Sequence, residues 1–487
     1  MNYTYQRNKY LNIFHPFTQN MIVKKVLLIN PNYQREISSL SQISVGPPLG
    51  LAYIAAMLRK DNIKVKIIDS NAENIGIENI LLRVKNEDPD LIGLTSVTPT
   101  IKLCCQLSSE IKKILPDVPI VVGGVHPSLA PNETLKDNPN IDFLIIGEGE
   151  YTFPDLIKSL NEKSDLKKVD GLVWKKDRVI VNKKREFIND LDKLPFPARD
   201  LLPNEKYKSI EFDNFTTIIA MRGCPASCIY CAVPSFCGKE LRKRGVKNVI
   251  EEIEDCIQNY GVKSFSFLDD TFTYDVKWVE EFCNKMEEKS LNKKVKWLCL
   301  TRVDTISLPL LKKMKSAGCY KIELGIESGS PRILKEIGKG ITVEQIKEGF
   351  EVAKKAGMVT MAFAMVGFPF ETEKDILMTK DLIKETDPSF LQVSYATPYP
   401  GTSFYEYCKK NNLLATNNYS KYIFLNNSLV LNENGISTKQ ITKSKRDLER
   451  SFYLRFNYMV KSFFYLLKTS ENLSLFLNRS LTFLRRI

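Results

Sequence analysis

The sequence predicts an α/β protein made of two sheets in series, and three observations carry that prediction. From Lys24 to residue 160, β-rich runs alternate with helix-period segments, the pattern of a doubly wound, Rossmann-like parallel sheet. From residue 217 to 402 the alternation returns in six β/α units, which suit an open, partial (β/α)6 barrel of the TIM type. After the turn Pro398-Tyr-Pro-Gly-Thr402 the alternation stops and the pattern becomes helical. The expected order is a leader at 1–20, a first domain at 21–160, a connection at 161–216, a barrel at 217–402 and a helical C-terminal region at 403–487.

A chain of 487 residues is long enough for two or three cores, and 43% hydrophobic with 26% charged residues is ordinary for globular proteins. Its eleven cysteines, mostly scattered, do not read as a secreted disulfide framework, so a reducing, cytoplasmic setting is expected. Residues 1–20 lack a continuous apolar core and read as neither a signal peptide nor a membrane span. The 70 Lys and Arg against 57 Asp and Glu leave a net charge of +13, which raises the question of an anionic partner. The excess is local: residues 441–487 hold ten basic and three acidic residues. No nucleic-acid partner is expected.

In the first domain, strands are expected near Val26–Asn30, Val65–Asp69, Leu91–Ser96, Ile120–Gly124 and Phe143–Gly147. They end in small or turn-forming residues, and ligands of such sheets bind at those carboxyl ends. Gly123, Gly124 and Gly147 are therefore candidate ligand-contact positions. His126 has two readings, a residue facing a ligand or one bonded within its own turn. No G-x-G-x-x-G loop follows strand one, which argues against a dinucleotide site. The connection contains a hairpin at Gly171–Val181 and the Pro-punctuated stretch Leu194-Pro-Phe-Pro197.

Barrel strands are expected near Thr217–Met221, Ser264–Asp269, Lys296–Arg302, Lys321–Gly325, Thr360–Gly367 and Phe390–Ala396. The first leads into Met221-Arg-Gly-Cys-Pro-Ala-Ser-Cys-Ile-Tyr-Cys231, which sets Cys224, Cys228 and Cys231 at C-x3-C-x2-C spacing. A closed zinc site wants four protein ligands, whereas a four-iron four-sulfur cluster on three thiolates keeps one iron open. Cys237 is a further cysteine at an unfamiliar spacing. The other strand ends supply Asp269 and Asp270, which suit a ligand ammonium or a helix cap, and Arg302, whose fork suits a carboxylate. They also supply Glu327 with Ser328 beside it, and Gly367, where backbone can approach a ligand closely.

The cysteine spacing, Tyr230 before the third cysteine and the preceding strand resemble the radical S-adenosylmethionine (radical SAM) enzymes. The first domain, with Gly46-Pro-Pro-Leu-Gly-Leu-Ala-Tyr-Ile-Ala-Ala56 opening its first helix and Gly123-Gly-Val-His-Pro127 after strand four, resembles the cobalamin-binding domain fused to many of them. The resemblance spans residues 24–405. It implies three cofactors, a 4Fe-4S cluster on Cys224, Cys228 and Cys231, S-adenosylmethionine and cobalamin, with Glu327 near the ribose hydroxyls and Gly367 near adenine. One departure stands out: the loop at Asn30–Ser44 has no histidine, so the lower face of cobalt is expected to lack that ligand. Many members methylate unactivated carbon, with a 5′-deoxyadenosyl radical abstracting hydrogen and methylcobalamin giving the methyl group. A small or lipid-like substrate and a one-electron reductant such as ferredoxin or flavodoxin are implied partners.

Three other readings compete with this one. A cyclase or rearrangement enzyme keeps both cofactors without methyl transfer. A tRNA methylthiotransferase needs a second cysteine cluster, and residues 1–160 offer only the adjacent Cys104 and Cys105. A non-catalytic cobalamin sensor leaves the cysteine triad unexplained. In the tail, residues 451–487, cations interrupt every apolar run before it reaches the ~18 to 20 residues a span requires. Its pattern suits either a helix packed on the barrel or one lying at an anionic membrane surface.

Overall fold

The computed structural model describes residues 22–32, 44–209, 211–425, 430–432, 436–456 and 458–460. Three regions read from sequence therefore lie outside the described residues: the leader, positions 33–43 after strand one, and 461–487 of the tail. The described residues form two units, one of 22–32, 48–188 and 194–202, the other of 44–47, 189–193 and those from 203 onward.

The first unit is a sheet of seven strands: β1 (Lys25–Asn30), β2 (Lys64–Asp69), β3 (Leu91–Thr95), β4 (Ile120–Gly123), β5 (Phe143–Ile145), β6 (Leu172–Lys175) and β7 (Val179–Val181). Their order is β2-β1-β3-β4-β5-β6-β7, with the first five parallel, as the sequence pattern requires. The hairpin assigned from sequence to the connection is part of this sheet: β6 pairs antiparallel with β5, and β7 with β6. Its Trp174 is 3% exposed and donates Nε1–H to Asn182, so the hairpin adds to the core. Six helices join the strands, α1 (Leu49–Lys60), α2 (Ile77–Glu87), α3 (Ile101–Ile114), α4 (Val125–Leu129), α5 (Pro131–Lys136) and α6 (Gly149–Glu162). The apolar stripe of α1, including Leu51, Ala55 and Leu58, joins Val26, Leu28, Phe143 and Phe153 in one core. Strand order reverses between β1 and β3, so the crevice for a ligand opens at their carboxyl ends.

The second unit holds β8 (Phe215–Ile218), β9 (Met221–Arg222), β10 (Arg242–Lys243), β11 (Ser264–Phe267), β12 (Lys296–Thr301), β13 (Cys319–Glu327), β14 (Val359–Val366) and β15 (Phe390–Tyr395). Six of them form a parallel sheet in the order β15-β14-β13-β12-β11-β8, with β8 and β15 unpaired to each other, an open partial barrel. Its helices are α7 (Val233–Phe236), α8 (Val246–Tyr260), α9 (Val276–Glu288), α10 (Leu308–Ser316), α11 (Pro331–Glu336), α12 (Val343–Lys355), α13 (Glu373–Thr386), α14 (Ser403–Lys410) and α15 (Thr438–Tyr453). β14 shows why they cover one face: Thr360, Ala362, Ala364 and Val366 are buried, while alternate residues are half-buried.

One difference from the sequence reading, in the first barrel strand, has a physical cause. The expected strand Thr217–Met221 is broken at Ile219 and Ala220, where the chain leaves the parallel sheet and starts the β9–β10 hairpin. The helical appendage, in turn, closes an edge. Tyr453 on α15 accepts from the Leu391 amide at 3.2 Å and donates to the Leu391 carbonyl, satisfying backbone of the edge strand β15. No helix among the described residues is long and apolar enough to cross a membrane.

Candidate active site

The cysteine loop springs from the carboxyl end of β8, and its backbone is pinned on several sides. Gly223 has φ of +98°, and a Cβ there would lie 2.2 Å from the Glu240 carbonyl oxygen, so only glycine fits before Cys224. The Cys224 amide donates to Gly238 at 3.2 Å and the Cys231 amide to Cys228 at 3.1 Å. Between them, the Ile229 amide donates to Ile337 at 3.0 Å, and its carbonyl accepts from Phe404 at 2.9 Å.

All three thiols are free, Cys224 buried and the other two half-buried. Burial pushes Cys231 up to about 12, and the neighbouring Cys228, Asp270 and Cys224 add to the rise. Among the described residues, no three His, Cys, Asp or Glu side chains converge on a single ion. Three cysteines at C-x3-C-x2-C spacing on one loop suit a four-iron four-sulfur cluster that keeps one iron open. Cys237 ends α7, where its carbonyl accepts from Arg242 at 2.9 Å.

Around this loop the barrel gathers several of the residues singled out from sequence. Asp270 is half-buried, acts on Cys231, and its carboxylate makes no hydrogen bond among the described residues; burial raises it to about 6. Glu327 ends β13 in the left-handed region, φ +56°, at a register shift against β14. Its Oε1 accepts from Lys339 at 2.8 Å, both side chains being 9% exposed. Gly325 leaves the room for that pair, since a Cβ there would come within 2.3 Å of Glu327 Oε1. Burial first, then the neighbouring charges and a hydrogen bond to Glu327, raise Tyr230 well above its ordinary range. Arg302 holds Asp304 through Nε and Nη2, each at 2.9 Å, and donates to the Lys339 carbonyl at 3.1 Å. Burial lowers its pKa, but Asp304 and then Cys228 and Cys224 outweigh that and raise it.

Other sequence candidates point elsewhere. Asp269 is 1% exposed and accepts from the Ala220 amide at 2.8 Å, so it braces the chain rather than sharing the open position of Asp270. Ser328 lies fully buried in the short turn between β13 and α11, with Oγ 3.2 Å from Thr379 on α13. Gly367 has φ of +93° and donates to Glu371 Oε2 at 2.6 Å. Glu371 is 3% exposed and raised to about 8 by burial. Lys339 and Glu371 were missed in the sequence. Their available signals were a lysine between two glycines, Gly338-Lys-Gly340, and an acid four residues after a strand-ending glycine.

In the first unit, the ends of β3, β4 and β5 come together. Gly124 has φ of +103° and Gly147 φ of +78°, each in the turn after its strand, with Gly123 the last residue of β4. The Gly147 amide donates to Ser128 Oγ at 2.9 Å. His126 is 1% exposed, its Nδ1 is 3.3 Å from Thr98 Oγ1, and burial lowers it to about 4. Of its two readings, this geometry supports a buried, neutral residue tying two strand-end loops together. The fit to a corrin rests on these small strand-end residues. Cys104 is buried and bonded to the Thr95 carbonyl at 3.4 Å, and Cys105 is its neighbour on α3, so this helix offers two adjacent thiols where a second cluster would need at least three ligands.

Residues 43–157 match the B12 binding domain and residues 218–383 the Radical SAM superfamily. An uncharacterized methyltransferase of Pyrococcus horikoshii is 37% identical over 445 residues, covering 91% of this chain and 95% of that protein. The anaerobic magnesium-protoporphyrin IX monomethyl ester cyclase of Rubrivivax gelatinosus is 28% identical over 400 residues, covering 78% of this chain and 69% of its own. The fold is shared with the cobalamin-dependent S-adenosylmethionine radical enzyme OxsB, whose structure holds aqua-cobalamin and S-adenosylmethionine. That likeness has a TM-score of 0.74 at 18% identity, over 95% of this chain and 72% of that one.

Proposed function

The chain belongs to the radical SAM enzymes that carry a B12-binding domain, and from that premise we propose that it methylates an unactivated carbon of a small or lipid-like molecule. The observation that carries the reading is the gathering of Cys224, Cys228 and Cys231 with Asp270, Tyr230, Glu327 and Arg302 at the carboxyl ends of the barrel strands. When bound, a 4Fe-4S cluster with S-adenosylmethionine supplies radical chemistry and cobalamin supplies a methyl group.

The residues present fit that set. Three thiolates would hold three irons and leave the fourth open. Asp270, half-buried and without a partner, would take the ammonium of S-adenosylmethionine. Glu327, held by Lys339 at 2.8 Å, would face the ribose hydroxyls. Arg302 keeps a positive charge beside the cysteines and steadies the Lys339 backbone. In the first unit, the turns at Gly123–His126 and Gly147 would receive the corrin. A ferredoxin or flavodoxin would supply the electron.

The test is anaerobic incubation of the reconstituted enzyme with S-adenosylmethionine labelled in its methyl group and an extract of the host. A carbon-methylated product carrying the label is expected. Ring-closed product without label would instead favour the second reading, a cyclase, for which the 28% identity to the Rubrivivax enzyme speaks.

A further inference from the structure

The connection between β8 and the cysteine loop carries buried charge that the reading above does not use. At Ile219 and Ala220 the parallel pairing has ended and the β9–β10 hairpin has not begun, so neither ladder satisfies the backbone. Ile219 is half-buried and Ala220 beside it fully buried, so water cannot serve the groups of Ala220 instead. Side chains and one crossing strand end do. Asp269 Oδ1 accepts from the Ala220 amide at 2.8 Å. Arg244 donates Nη1 to the Ile219 carbonyl at 3.0 Å, and its own amide donates to the Ala220 carbonyl at 2.9 Å. The guanidinium is held by Glu252 and by Asn248 Oδ1 at 2.7 Å, and the Trp278 indole donates to the Arg244 carbonyl at 2.8 Å.

Arg244 and Glu252 are 5% and 0% exposed as side chains. A buried pair of this kind adds little net stability compared with apolar residues of equal size, because both ions must be desolvated. What it does supply is a single arrangement of donors. Four residues on from Ala220, through the rigid turn at Gly223, stands Cys224, which the resemblance makes a cluster ligand.

We propose that Asp269, Arg244 and Glu252 are positioning residues that fix the root of the cysteine loop and so set how Cys224 is presented to the cluster. The proposal rests on the radical SAM reading, and goes beyond it by assigning cluster geometry to side chains that touch neither cluster nor substrate. Small changes in thiolate orientation and in nearby hydrogen bonds alter the electronic signature of an iron–sulfur centre.

The experiment uses full-length protein reconstituted anaerobically, with iron content, thermal melting and electron paramagnetic resonance of the reduced cluster measured with and without S-adenosylmethionine. The wild type serves first: if it binds no cluster, the radical SAM reading falls and this proposal with it. Given a loaded wild type, Asp269→Leu is expected to shift or broaden the resonance and to lose the spectral response to S-adenosylmethionine. Asp269→Asn, which keeps an accepting oxygen, restores both. Should Asp269→Leu fail to fold, Arg244→Lys decides. Its shorter ammonium keeps the charge opposite Glu252 but does not reach the Ile219 carbonyl as well, and the same spectral change is expected at an unchanged melting temperature. A lower melting temperature with wild-type resonance and wild-type response per bound cluster would overturn the proposal.

Discussion

Replacing any one of Cys224, Cys228 or Cys231 by alanine is expected to abolish S-adenosylmethionine cleavage, because the remaining two thiolates cannot hold the cluster with its open iron. Iron content and 5′-deoxyadenosine release check this. Lys339→Met strips Glu327 of its cation while both are nearly buried, so a loss of about 3–5 kcal/mol is expected in denaturant unfolding. His126 makes a prediction with a definite sign. Burial holds it near 4 in the fold against an ordinary value of 6.5, so below pH 6.5 the unfolded chain binds a proton that the folded chain refuses. Its contribution is fully present above pH 6.5 and is lost as pH falls toward 4, by at most about 1.4 kcal/mol per pH unit. Unfolding of the wild type and of His126→Asn, measured across that window, should diverge accordingly. Parallel pH dependence in the two proteins would contradict a buried neutral imidazole. With no histidine in Asn30–Ser44 and His126 bonded to Thr98, Co(II) resonance of bound cobalamin should show no splitting from a histidine nitrogen, so 15N-labelling of the protein should leave its spectrum unchanged.

Elements set these residues in place, and here the sequence was legible to different depths. The strands of both sheets follow from alternation and from turn residues such as Asn30-Pro31 and Gly123-Gly124, which are local signals. The cysteine triad was legible for the same reason, since its spacing is written in one loop. What one loop does not contain was not legible. Nothing in the local pattern says that Asp269 turns to Ala220 while Asp270 stays open, because two adjacent acids differ only in what packs beside them. Lys339 lies twelve residues from Glu327, across a helix, and becomes its partner only through the fold. The hairpin at Gly171–Val181 was recognised, but its place at the sheet edge depends on β5, nearly thirty residues upstream. The same holds for α15, whose value lies in covering β15. Tyr453→Phe would leave the Leu391 amide and carbonyl without that hydroxyl, and a loss of about 1–2 kcal/mol is expected in thermal or denaturant unfolding.

At the scale of the whole molecule, the B12-binding match covers residues 43–157 and the radical SAM match residues 218–383. Phe452 and Tyr453 are buried, so a chain cut at Glu449 would lose core residues, whereas Phe456 is 74% exposed and Leu454, Met459 and Val460 are exposed too. The informative cut is therefore after Val460. With Lys461, Lys468, Arg479, Arg485 and Arg486 set among aromatic residues, full-length protein is expected to co-sediment with anionic liposomes more than with neutral ones, and the shortened chain to lose that difference. Equal partitioning of both would leave the tail without a membrane role. The central claim, a cluster at Cys224, Cys228 and Cys231 that opens S-adenosylmethionine, is tested most directly by one measurement. The enzyme, reconstituted with iron, sulfide and cobalamin without oxygen, is given S-adenosylmethionine and a strong reductant, and 5′-deoxyadenosine is followed by mass spectrometry. The account predicts that it forms with the wild type and not with Cys224→Ala. Release at the wild-type rate from Cys224→Ala, with its iron retained, would contradict it.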